Sequence, residues 1–177
     1  MADSGADESS TNPQSAVYDW GWAVIEGSEV FIDDSLTGMA AEADVVAVGR
    51  FVAQCDDRQM GGGSEGDLVT YKCLTFEPSE VISGVVTEPL PVEFLGSPTD
   101  GTVPPDEVAV FLLDKGGSES GRYRVVNSFG LFTSTQRAQV DQPMRASADQ
   151  AVSGLDDLPR DDWDQFKRHL RREVGAR

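Results

Sequence analysis

His169, Cys55, Cys73 and a set of paired acids are the residues of this chain with chemistry beyond packing. A Ser-His-Asp or Cys-His centre needs an imidazole held beside a nucleophile. His169 instead falls on the charged face of a C-terminal helical pattern, flanked by Arg168 and Arg171. Zinc sites draw on clusters of His and Cys, and the chain holds one His and two Cys. The sequence shows no EF-hand loop, Walker loop or dinucleotide-type glycine pattern. The three glycines at 61–63 lie in a hairpin loop, with no helix behind them to aim amides at a phosphate. The reading is therefore no catalytic residue, no metal ligand, no cofactor and no enzyme.

The acid pairs are Asp33-Asp34, Asp56-Asp57, Asp156-Asp157 and Asp161-Asp162. A glycosidase needs two carboxylates across a cleft, and adjacent acids in loops do not supply that. Surface charge is the favoured reading. A weak calcium site built from Asp56, Asp57 and Asp67 is the alternative.

Residues 43–55 and 68–76 read as two strands around a polar, Gly-rich loop at 56–67, which is a hairpin signal. Cys55 and Cys73 are equidistant from Ser64, the middle of that loop. Antiparallel pairing about Ser64 sets them opposite each other. A disulfide is favoured, with two buried thiols as the alternative. The bond implies an oxidising, extracytoplasmic compartment.

Further elements must carry this hairpin. Residues 1–17 read as a disordered acidic tail or tether. Tyr18, Trp20, Trp22 and Val24 alternate with smaller or polar residues and predict an extended segment with an aromatic face. That face packs, or stacks on a sugar or peptide. Residues 29–32 form a second short extended piece. Leu36, Met39, Ala40 and Ala43 share one helical face, and Asp34 or Ser35 can cap that helix. Strand one is apolar on both faces, Val46, Val48 and Val52 against Val45, Ala47 and Phe51. Gly49 inside it predicts a bulge or a bend at a barrel corner. Pro78 removes a ladder donor, so pairing should break or move to an edge there. Residues 90–95, 107–113, 122–126 and 130–135 complete the strands. Residues 137–157 read as a linker. A helix over 159–174 carries Trp163, Phe166, Leu170 and Val174 as one stripe that should dock on the barrel. Residues 158–177 hold six Lys/Arg against four Asp/Glu, a net of +2, so the remainder carries −19 of the total −17. The helix can dock on an acidic body.

The 177 residues suit one domain with tails. The excess of 31 acids over 14 bases repels phosphate backbones, so nucleic acid is excluded as a partner. No apolar run of membrane-spanning length occurs. Met1-Ala2-Asp3 reads as a native start or as a start after a removed leader.

Several stretches together resemble a known family. They are Ala43-Asp44-Val45-Val46-Ala47-Val48-Gly49, Thr70-Tyr71 through Ser79-Glu80-Val81-Ile82-Ser83-Gly84, and Asp106-Glu107-Val108-Ala109-Val110-Phe111-Leu112-Leu113 before Gly121-Arg122-Tyr123. The pattern is similar to bacterial secreted or lipid-anchored OB-like domains. It is more distantly similar to tissue inhibitors of metalloproteinases and netrin-like modules. The resemblance spans roughly residues 30–135. It implies a mainly β fold: a small OB-like antiparallel barrel of five to six strands, with a short helix before strand one and an amphipathic C-terminal helix. The chelating N-terminal cysteine of the metalloproteinase inhibitors has no counterpart here, so that inhibitory mechanism does not carry over. OB-type barrels bind ligands through the loops after strands one and four. Asp56, Asp57, Arg58, Asp67, Lys115 and Glu119 are accordingly the candidate ligand-loop residues. The function expected is a non-catalytic, extracytoplasmic binding domain, monomeric, with a protein or small ligand at the cell envelope as partner. A loop-based inhibitor of a secreted protease and a carboxylate hydrolase are the alternatives.

Overall fold

The computed structural model describes residues 15–19, 24–28, 35–61, 68–95, 103, 106–114, 121–127, 130–134 and 162–175. The acidic segment 1–14, the extended piece at 29–32, the linker at 137–157, Asp67, Lys115 and Glu119 lie outside them.

The chain opens with a two-stranded antiparallel hairpin, β1 (Ser15–Asp19) and β2 (Val24–Ser28), registered Ser15 to Ser28. Tyr18 and Val24 thus fall on two paired strands and not on one, Trp20 and Trp22 lie outside the described residues, and β1 begins inside the stretch read as tail. Helix α1 (Leu36–Glu42) follows, with Ser35 as its cap. Ser35 Oγ accepts from the Gly38 amide at 2.9 Å, which satisfies one of the orphan donors of the first turn.

A barrel comes next, built from β3 (Val45–Met60), β4 (Val69–Ser83), β5 (Leu90–Leu95), β6 (Val108–Asp114) and β7 (Tyr123–Val125). The order is β3-β4-β5-β7-β6, and β6 pairs back with β3 to close it. The pairings are antiparallel except β5 with β7, which is parallel. β8 (Leu131–Thr133) adds one strand on β6. The fold is a small, closed, OB-like barrel, with β3 to β7 in the places of OB strands one to five.

Gly49 is where β3 bends. It pairs with Val108 at the end of the β3–β6 ladder and with Pro78 across β4, beside a register shift. A Cβ at Gly49 would come within 2.2 Å of the Glu77 carbonyl oxygen, so no larger residue fits. Beyond Gly49, β3 runs on with β4 alone among its described neighbours. β4 leaves β5 after Phe76, so Pro78 sits where only β3 flanks it and its missing donor costs little.

β3 is buried on both sides up to Gly49 because it serves two cores. Val45, Ala47 and Phe51 face the barrel interior with Leu74, Phe76, Val92, Phe94 and Val110. Val46 and Val48 face outward beneath α1 and the C-terminal helix α2 (Trp163–Val174). Val52, past the helices, is 48% exposed.

The stripe on α2 packs on the barrel as its spacing predicts. Phe166, Leu170 and Val174 are fully buried, and Trp163 stacks on Phe166. The described helix starts at Trp163, where Asp162 caps it by accepting from the Gln165 amide at 2.8 Å; Pro159 lies outside the described residues. Its basic residues meet barrel acids. Arg171 bridges Glu80 at 2.5 Å and Lys167 bridges Glu107 at 3.1 Å. Trp163 Nε1 also donates to Glu107.

Candidate functional site

Cys55 and Cys73 form a disulfide across β3 and β4, their Cα atoms 5.0 Å apart. A register shift follows at once, between Cys55 and Arg58. There Asp57 completes the ladder. Its Oδ1 accepts the Cys73 amide at 3.0 Å, and its Oδ2 meets Lys72 Nζ at 2.8 Å. The Lys72 hydrogen bond outweighs burial and, with the Cys73 amide, holds the Asp57 carboxyl below its usual range. Asp56, Asp57 and Arg58 therefore belong to β3 and not to a loop, since β3 runs to Met60. Among the described residues no three His, Cys, Asp or Glu side chains gather as a metal site would need.

Arg58 emerges just past that bulge and leads to a cluster of charges on the barrel wall. Val92 and Phe94 of β5 point into the core, so alternation turns Glu93 to the outer face. Its side chain is nonetheless fully covered. Three arginines cover it. Arg58 on β3 donates through Nε and, at 2.7 Å, through Nη2. Arg122, just before β7, donates Nη1 at 3.0 Å. Arg124 on β7, registered beside Glu93, approaches with Nη2 at 3.4 Å. Burial pushes the Glu93 carboxyl up, and the Arg58 fork with Arg122 and Arg124 more than reverses this, so it stays ionised below the usual carboxylate range.

Tyr71 on β4 supplies an aromatic surface within the same cluster. The Arg124 guanidinium carbon lies 3.8 Å from its ring centre and that of Arg58 5.7 Å away. Arg124 Nη2 also lies 3.7 Å from Met60 Sδ. Four segments thus deliver Arg58, Tyr71, Glu93, Arg122 and Arg124 to one outer face. That face centres on β4 and β5, the equivalents of OB strands two and three, with Arg58 brought in from β3 on one side and Arg122 and Arg124 from the β7 segment on the other. Arg58 stands near the first candidate loop and Arg122 directly follows the second.

Of the residues read from sequence as ligand contacts, Arg58 joins this cluster and Asp57 braces the bulge beside it. Glu93, Arg122, Arg124 and Tyr71 carry no motif and were not legible as a group. A lone Glu between Val92 and Phe94 in a strand was the available signal. His169 is half-buried on α2, with Nδ1 2.7 Å from Arg172 Nη2. Its Nε2 is buried without a partner among the described residues.

No protein-family model matches the chain, and no curated protein matches it in sequence.

Proposed function

We propose that this chain is a non-catalytic binding domain that works outside the cytoplasm, secreted or tethered to a cell envelope. It belongs in this reading with the bacterial secreted or lipid-anchored OB-like domains that its sequence resembles. Its binding surface is the outer face of β4 and β5. The carrying observation is the convergence of Arg58, Arg122, Arg124 and Tyr71 over the buried Glu93. One guanidinium balances one carboxylate, and Arg58 already does so with a two-point fork. Arg122 and Arg124 bring two further positive charges to one spot on a chain of net charge −17. OB-type barrels offer the face of strands two and three, with its flanking loops, to ligands. The disulfide supports the compartment, because such bonds persist where the milieu is oxidising.

Capture from an envelope extract tests this reading. The wild-type chain should retain a partner or ligand that an Arg122→Gln/Arg124→Gln variant does not. A broad hydrolase screen run beside it should show no turnover. Turnover abolished by Asp56→Ala or Asp57→Ala would replace the binding domain with an enzyme.

A further inference from the structure

The geometry points to a phosphoryl group as what this face binds, a tetrahedral oxyanion of about two negative charges. This inference rests on the β4–β5 face being the binding surface. Glu93 takes one nitrogen each from Arg122 and Arg124. Each guanidinium has five N–H donors in a rigid plane, so most of theirs have no acceptor among the described residues. Arg124 Nε is buried and has no hydrogen-bond partner among the described residues, a state that costs free energy. Both side chains keep an open side, Arg122 at 34% and Arg124 at 21% exposure.

The charge count selects the ligand class. Two guanidiniums beyond the one that balances Glu93 match a dianion better than a single carboxylate. Planar guanidinium forks suit phosphate oxygens, and the Arg124 guanidinium carbon sits over the Tyr71 ring, 3.8 Å from its centre. Long anionic polymers are disfavoured by the net charge of −17. A compact phosphate monoester meets only the local field.

Inorganic phosphate is the probe, titrated into the intact disulfide-bonded chain at constant ionic strength. Calorimetry should show saturable binding. Arg122→Gln and Arg124→Gln should each weaken it at least about tenfold, roughly 1.4 kcal/mol. Both variants keep the Arg58–Glu93 pair, and an unchanged amide NMR spectrum away from the cluster verifies their fold. The Arg124 Nε–Hε resonance should shift as phosphate is added. Vesicles containing phosphatidate serve as a second arm. Sedimentation of the wild type but not of the variants makes a lipid headgroup the source of the phosphoryl group. No sedimentation, with inorganic phosphate still bound, makes it a free phosphorylated molecule. The inference is overturned by absence of saturable phosphate binding, by equal affinity in the variants, or by tighter binding of acetate than of phosphate. If phosphate fails while envelope capture still requires Arg122 and Arg124, the binding-domain reading stands and the phosphoryl assignment falls.

Discussion

The guanidinium of Arg124 sits over the Tyr71 ring, its carbon 3.8 Å from the ring centre. The contact joins β7 to β4 across β5, and Glu93 of β5, a covered anion, pairs with Arg124. A sheet face that could have been water-facing is instead a charged, pre-oriented surface.

Glu93 should be the anchor of the cluster. Removing one partner of a buried ion pair leaves the other uncompensated, at a cost of about 3–5 kcal/mol. Glu93→Gln leaves three guanidiniums facing one another, and urea unfolding should show a loss in that range. A loss under about 1 kcal/mol, the worth of an exposed pair, would mean that the arginines do not depend on Glu93.

The α2 stripe should contribute to global stability. Phe166 is fully buried between the barrel and Trp163. Phe166→Ala should cost about 3 kcal/mol or more. Deleting residues 162–177 should lower the melting temperature further. An unchanged melting temperature would make the stripe a partner-binding surface.

Glu107 ties α2 to the barrel and should make that link pH-dependent. Burial pushes its carboxyl up, but hydrogen bonds from Trp163 and Lys167, with the charges of Lys167 and Arg50, hold it below its ordinary value of 4.5. A depressed folded value means the unfolded chain binds the proton first. The stabilisation is therefore full above 4.5 and is lost as pH falls through the folded value. Acid also relieves self-repulsion in so anionic a chain, which acts in the opposite direction. The measurement is thus a difference, the melting-temperature gap between wild type and Glu107→Gln. The gap should close as pH is lowered from about 7 to about 3. A constant gap would contradict the pairing.

The Cys55–Cys73 bond closes a separation of 18 residues, worth roughly 3 kcal/mol on the loop-entropy model. It also pins the register beside the Asp57 bulge and so the approach of Arg58. Intact mass before and after reduction and thiol alkylation should reveal one bond. Reduction should lower stability by about that amount. Two free thiols in protein made under oxidising conditions would refute the bond and weaken the extracytoplasmic reading.

Most of the barrel was legible because its signals are local. The two-faced apolar run from Val45 to Phe51 marked a strand with a core on each side. Gly49 marked the bend, and Pro78 marked the point where β4 leaves β5. Gly84 completes the pattern. It has a positive φ of 88°, and a Cβ there would come within 2.2 Å of the Asp44 carbonyl oxygen. The two ends of the hairpin therefore meet at a point where only glycine fits. The extent of β3 was misread because Asp56 and Asp57 look like loop residues until Asp57 is seen completing the ladder at a bulge. The arginine cluster was illegible because its members come from four strands and the residue before one of them, brought together only by closure of the barrel.

Arg122 offers the most direct test that this face is a binding site and not scaffolding. Glu93 is already bridged at two points by Arg58, so Arg122 adds mainly like charge to the cluster. Residues kept for binding often cost stability. The decisive measurement is the melting temperature of Arg122→Gln beside its phosphate affinity. The melting temperature of Arg122→Gln should equal or exceed that of wild type, with phosphate binding weakened at least about tenfold. A melting temperature several degrees lower, with phosphate affinity unchanged, would contradict it.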